Sequence, residues 1–125
     1  MNLNEISANS FSYIGDAYYS LKVREYLIKS GHQRSIDLQK LANHYVSAKA
    51  QFEIFTHLET IGFFTEEELG VYKRGRNHIG HIPKNGDLKT YQVASGLEAI
   101  VGYLYLIKSE RLEELFKAIF DWRQI

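Results

Sequence analysis

Two carboxylates have no charge partner close to them in sequence. Asp16 lies in Tyr13-Ile14-Gly15-Asp16-Ala17-Tyr18, with Ser12 and Ser20 one helical turn away and no Lys or Arg at that spacing. Glu98 is the only charge between Lys89 and Lys108, and its helical neighbours are Ala94, Ser95, Val101 and Gly102. An ionised carboxylate in such surroundings is costly unless a cation or hydrogen-bond donors compensate it. Each acid also has a glycine nearby, Gly15 and Gly102, so two helices could cross closely there and bring both acids to one hard cation. Mg²⁺ takes few protein carboxylates, keeps several waters and shares substrate phosphate oxygens. That is the outline of a phosphodiester-hydrolysing site, with Asp16 and Glu98 as catalytic and metal-binding residues. Two plainer readings stay open: Asp16 as a solvated surface charge, and Glu98 in a structural salt bridge with Arg24 or Lys22.

A second constellation is basic. Lys73-Arg74-Gly75-Arg76-Asn77 is followed by Lys84, Asn85 and Lys89, and residues 73–89 carry a net +4. The preceding stretch 63–72 carries −3, so the overall balance of 15 basic and 15 acidic residues conceals a segregated pattern. Guanidinium forks and closely approaching backbone amides suit phosphate oxygens. A basic patch within a neutral protein points to RNA or DNA backbone contact through Lys73, Arg74, Arg76, Asn77, Lys84 and Asn85, with an ordinary solvated loop as the alternative. His78-Ile79-Gly80-His81 spells the signature of class I aminoacyl-tRNA synthetases. That motif works after a buried strand, and no strand-like run exists here. As a zinc pair the two histidines lack a third and fourth ligand.

The elements that must position these residues read as helices. Of 125 residues 45% are hydrophobic, with one proline and no cysteine, so one domain spanning 1–125 can bury a core without disulfides, zinc or iron–sulfur clusters. No apolar run approaches the roughly 20 residues of a membrane span, and the start lacks a signal-peptide layout, so a cytoplasmic location is expected. Phe11, Ile14, Tyr18, Leu21 and Ile28 fall at helix spacing before Gly31. Ser35 is the expected N-cap of a second helix with Leu38, Leu41, Ala42 and Tyr45 as its buried stripe. A third runs from about Ser47 to Ile61 with Ala48, Phe52, Phe55 and Leu58 on one face. Thr65 with Glu66, Glu67 and Glu68 is a capping box opening a fourth helix into Lys73-Arg74. Asp87 caps a long helix to about Ile107, and Ser109 a last one to about Trp122. The expected fold is all-α, a single domain of about six helices.

Tyr13-Ile14-Gly15-Asp16-Ala17-Tyr18 resembles the first half of the ribonuclease III signature, and Leu97-Glu98-Ala99-Ile100-Val101-Gly102 resembles its second half. Tyr45-Val46-Ser47-Ala48-Lys49-Ala50-Gln51, Lys73-Arg74-Gly75-Arg76-Asn77 and Pro83-Lys84-Asn85 resemble the Mini-III subfamily in particular. The resemblance covers roughly residues 11–107. It implies a ribonuclease III endonuclease-like helical domain with no double-stranded-RNA-binding domain appended, acting as a homodimer. It also implies Mg²⁺-dependent cleavage of double-stranded RNA to 5′-phosphate and 3′-hydroxyl ends, with Mn²⁺ as a substitute ion. The implied substrate is the stem joining the ends of the large-subunit (23S) ribosomal RNA precursor, free or in a pre-ribosomal particle, and Asp16 and Glu98 match the catalytic carboxylates. The alternative is a non-catalytic RNA-binding or ribosome-assembly protein on the same fold.

This chain departs from the larger family where full-length ribonuclease III carries a Glu at the place of Ser12 and an Asp at the place of Ser95. Ser95 shares a helical face with Glu98, so Ser95→Asp is expected to lower the Mg²⁺ requirement. Tyr13, Tyr18, Tyr19, Phe63 and Phe64 offer more aromatic surface than one small core readily absorbs, which favours a dimer.

Overall fold

A computed structural model of the chain describes residues 2–77, 84 and 86–124. After a 3₁₀ turn at Leu3–Glu5 come α1 (Ala8–Lys29), α2 (Ser35–Val46), α3 (Ala48–Thr60), α4 (Glu66–Gly75), α5 (Leu88–Leu106) and α6 (Arg111–Trp122). Among the described residues there is no strand. The all-α expectation and the helix number are met.

The centre of the fold is α5, which touches α1, α3, α4 and α6. Val93 to Leu97, Ala99 to Gly102 and Leu104 are all buried, so this helix is covered on most of its circumference. A helix apolar nearly all round belongs in a core rather than on a surface. Leu97, Ile100 and Val101 pack with Tyr19, Val23 and Leu27 of α1, Tyr45 of α2, Ile54 and Leu58 of α3, and Leu115 and Ile119 of α6 in one cluster.

Local chemistry explains where the helices start and stop. Ser7 accepts from the Ser10 amide at 3.2 Å at the head of α1. Gly31 follows the end of that helix at φ 98°, where a side chain would be strained. The Thr65–Glu68 capping box is complete: the Glu68 amide donates to the Thr65 hydroxyl at 3.1 Å, and the Thr65 amide to the Glu68 carboxylate at 2.9 Å. Glu68 also receives a two-pronged bond from Arg111 at 2.8 and 2.9 Å, which ties α4 to α6. Several sequence expectations shift, among them the buried face of α3, where Ala50, Gln51 and Ile54 join Phe55 and Leu58 while Ala48 and Phe52 are half-buried. Arg34, not Ser35, holds the N-cap position of α2. Ser109 stands two residues before α6 and accepts from the Arg111 amide at 3.1 Å. The buried stripe of α1 is Phe11, Ser12, Gly15, Tyr19, Val23 and Leu27, whereas Leu21 and Ile28 are exposed. The small residues Ser12 and Gly15 define the buried side because α5 lies directly against them.

Candidate active site

The two candidate carboxylates lie at the crossing of α1 and α5. A Cβ added at Gly15 would sit 1.7 Å from the Glu98 carbonyl oxygen and 2.8 Å from the Gly102 nitrogen. One added at Gly102 would sit 1.9 Å from the Phe11 carbonyl oxygen. The two backbones are in contact, and only glycine at both positions permits it. Asp16 follows the first glycine, and Glu98 stands one turn before the second. The crossing therefore brings the two carboxyl groups close enough for the charge of Asp16 to bear on Glu98.

Glu98 is half-buried and Asp16 is exposed. Burial, then the negative charge of Asp16, pushes the Glu98 carboxyl up to about 8; a hydrogen bond from Gln51 opposes the rise and one shared with Asp16 adds to it. The sequence left open a salt bridge from Glu98 to Lys22 or Arg24. Lys22 instead pairs with Glu25 at 3.3 Å and Glu113 at 3.8 Å. Among the described residues no basic side chain is ion-paired with Glu98 or Asp16.

The donor set fits a hard divalent cation. Two adjacent carboxylates, one half-buried and neither with a basic partner among the described residues, supply the oxygens and negative charge that Mg²⁺ requires, leaving most of its shell to water and phosphate. Among the described residues no group of three or more His, Cys, Asp or Glu side chains converges. The arrangement among the described residues is a sparse carboxylate pair, not a closed protein cage.

Sequence reasoning passed over Gln51. It is 3% exposed, and its amide nitrogen donates to Glu98 Oε2 at 3.2 Å and to the Val46 carbonyl at 3.1 Å. The available signal was a polar amide on the same face of α3 as Ile54, Phe55 and Leu58, all buried.

Ser12 and Ser95 behave differently from what their positions beside the acids suggested. Both are buried. The Ser12 hydroxyl donates to the Ser95 carbonyl at 3.0 Å, and the Ser95 hydroxyl lies 3.0 Å from the Gly75 carbonyl and 3.3 Å from the Ser12 hydroxyl. The pair stitches α1 to α5 and to the end of α4. An aspartate at position 95 would set a carboxylate against the Gly75 carbonyl in place of a donor, costing about 1–3 kcal/mol, so the expected benefit of Ser95→Asp for Mg²⁺ gives way to a loss of stability.

The basic stretch ends α4. Lys73, Arg74, Arg76 and Asn77 are exposed, as is Lys84; Asn85 and the His78–His81 motif lie outside the described residues. The Arg74 guanidinium lies 5.9 Å from the Phe11 ring centre and that of Arg76 5.9 Å from the Tyr72 ring centre. Asn77 donates to the Lys73 carbonyl at 3.1 Å, so its amide closes the helix end. A Cβ at Gly75 would meet that of Ala99 at 2.3 Å, which puts this basic end against α5 one residue from Glu98 in sequence.

The Ribonuclease III domain family matches residues 9–109. Similar proteins include Mini-ribonuclease 3 of Enterococcus faecalis, 43% identical over 89% of this chain and 86% of its own length. Mini-ribonuclease 3 of Symbiobacterium thermophilum is 44% identical over 90% of this chain and 87% of its own. An X-ray crystal structure of a Fusobacterium nucleatum protein superposes with a TM-score of 0.83 at 28% identity, covering 95% of this chain and 97% of that one.

Proposed function

From the premise that this chain belongs to the ribonuclease III family and is an endoribonuclease, we propose that it cleaves double-stranded RNA with a divalent cation held by Asp16 and Glu98. The observation that carries the reading is the contact of α1 and α5 at Gly15 and Gly102, which sets two carboxylates side by side with no basic partner among the described residues. A hard divalent cation, when bound, supplies Lewis-acid polarisation of a phosphoryl oxygen and activates water for in-line attack. The protein's own part is to hold and orient. Asp16 offers an exposed carboxylate, Glu98 a half-buried one steadied by Gln51, and the glycine contact fixes their separation.

Lys73, Arg74 and Arg76, with Lys84, grip the RNA backbone. A-form duplexes present phosphates and 2′-hydroxyls rather than readable base edges, so a basic helix end packed against α5, the helix that carries Glu98, suits recognition by shape. Asn77 has a bond inside its own helix and contributes less than the sequence suggested. The natural substrate in this reading is the stem joining the ends of the 23S ribosomal RNA precursor, free or within a pre-ribosomal particle. Mg²⁺ is the working ion, with Mn²⁺ as a substitute. Among the described residues no helix is long and apolar enough to cross a membrane, in keeping with an enzyme that meets its RNA in the cytoplasm.

The enzyme works as a homodimer in this reading, and the structure alters the reason. Tyr19 and Phe64 are buried, Tyr18 stacks near Tyr105 and Phe116, and Phe63 lies 4.3 Å beneath Arg111, so the core absorbs most of the aromatic surplus. Tyr13 remains, 83% exposed and three residues before Asp16. A partner covering Tyr13 would place a second carboxylate pair along the same duplex.

The deciding experiment incubates purified protein with a labelled RNA duplex and Mg²⁺, with and without EDTA. Cleavage confined to the duplex, abolished by EDTA and leaving 5′-phosphate ends, is the expected result. Cleavage undiminished in EDTA overturns the cation's role, and cleavage of single strands alone overturns the substrate.

A further inference from the structure

We infer that Gln51 is a positioning residue of the cation site, its amide nitrogen fixing the Glu98 carboxylate and its amide oxygen adding a third, uncharged oxygen to the two carboxylates. The inference rests on the reading that Asp16 and Glu98 hold a divalent cation.

The first support is the one-sided bonding of the amide. Its nitrogen has two acceptors, Glu98 Oε2 at 3.2 Å and the Val46 carbonyl at 3.1 Å, which use both N–H groups. Among the described residues, Gln51 Oε1 is the buried side-chain polar atom left without a hydrogen-bond partner. Flipping the amide does not remove the orphan. The Val46 carbonyl can only accept, so it demands the nitrogen whatever the protonation of Glu98. The unpartnered atom is therefore an oxygen by chemistry, not by choice of rotamer.

The second support is location. A buried acceptor left unmade costs about 1–3 kcal/mol, and such groups call for a partner in the functional state. Oε1 stands one amide width from the nitrogen that touches Glu98, on a side chain 3% exposed. An amide oxygen is a hard, neutral donor of the kind that divalent cations and their hydration shells accept. A core residue of purely structural value could be a leucine here. The amide instead spans α3 and α5 and ends at the half-buried carboxylate of the pair.

The test measures cation binding directly, by Mn²⁺ electron paramagnetic resonance titration without RNA at pH 8. The proteins are wild type, Gln51→Met, Asp16→Asn and Glu98→Gln. Gln51→Met keeps the length and removes both polar atoms; its Mn²⁺ dissociation constant is expected to rise about tenfold or more. The two carboxylate variants are expected to lose binding. If they bind like wild type, the cation site itself is wrong and the inference falls with it. If they lose binding while Gln51→Met does not, Gln51 alone is misassigned. If Gln51→Met loses binding but the wild-type Gln51 ¹³Cδ resonance does not move on Mg²⁺ titration, the amide oxygen is not a donor to the ion. Should Gln51→Met not fold, the ¹³Cδ resonance of Gln51 in the wild type decides. It is expected to shift on Mg²⁺ titration with the same saturation as binding, and an unmoved resonance overturns the proposal.

Discussion

Replacing a carboxylate with its amide leaves size and packing almost unchanged, so it separates chemistry from folding at the level of single atoms. Asp16→Asn and Glu98→Gln are each expected to lower duplex cleavage by at least about 100-fold, since even groups supporting a metal ligand are worth about 10–100-fold. Near wild-type turnover in either variant, with an unchanged circular dichroism spectrum, would remove that residue from the site. Glu98 also carries a pH signature. Its carboxyl is pushed up to about 8 in the fold, chiefly by burial and then by Asp16, whereas an unfolded glutamate titrates near about 4.3. The folded, cation-free protein thus holds this proton more tightly than the unfolded chain does. The corresponding stability is full below the unfolded value and is lost as pH rises toward 8. Thermal melts in EDTA should show Tm falling across this window, with the slope absent in Glu98→Gln and reversed by Mg²⁺, which displaces the proton. Glu68 slopes the other way: burial alone would raise it, but the Arg111 and Thr65 bonds hold its carboxyl below the usual range. Its contribution is lost only in more acidic solution, outside the window assigned to Glu98. Both carboxylates of the proposed site stood out in the sequence because an unaccompanied charge is visible in one dimension. Gln51 did not, because a neutral amide carries no such mark and meets Glu98 only at a sequence separation of 47.

At the scale of elements, the glycine crossing of α1 and α5 decides the geometry. Gly15→Ala drives a methyl into the Glu98 carbonyl oxygen and the Gly102 nitrogen, backbone atoms that cannot swing aside as a side chain would. A destabilisation of at least about 1–3 kcal/mol is expected in denaturant unfolding, and cleavage should fall further than stability because the carboxylates are pried apart. An unshifted denaturation midpoint would mean that the helices sit farther apart than the crossing implies. The end of α4 is testable as a unit. Replacing Lys73, Arg74 and Arg76 with Ala should weaken duplex binding and flatten its salt dependence by roughly 0.7–0.9 in log–log slope for each phosphate no longer neutralised. Unaltered affinity and slope would leave the stretch as a solvated helix end. The helices and most of their boundaries were readable from caps, glycines and spacing. The inner side of α1 was not. Its apolar residues surround the helix, leaving Leu21 and Ile28 in water, while Ser12 and Gly15 make the seam. Hydropathy gives little weight to small residues, although they alone let two backbones meet.

For the whole molecule, the open quantity is the number of chains that act together. Sedimentation at micromolar concentration is expected to show a dimer, and Tyr13→Ser to shift it toward the 14.5 kDa chain. A wild-type protein that sediments only as a single chain would count against the dimer. The all-α architecture was legible from periodicity, but the central place of α5 was not, since nothing local says which apolar helix the others will surround. That placement has a consequence for synthesis. Ser12 meets Ser95 across 83 residues of chain, and Asp16 waits for Glu98 in the same way. While the first four helices are emerging from the ribosome, the protein already displays one acid and the basic end of α4 but has no site. In the proposed reading the carboxylate pair is complete only once α5 has packed against α1, because Asp16 and Glu98 lie on those two helices. An endoribonuclease with its two candidate acids this far apart in sequence is expected to cut nothing as a nascent chain, which a cleavage assay on ribosome-stalled chains ending before α5 would check.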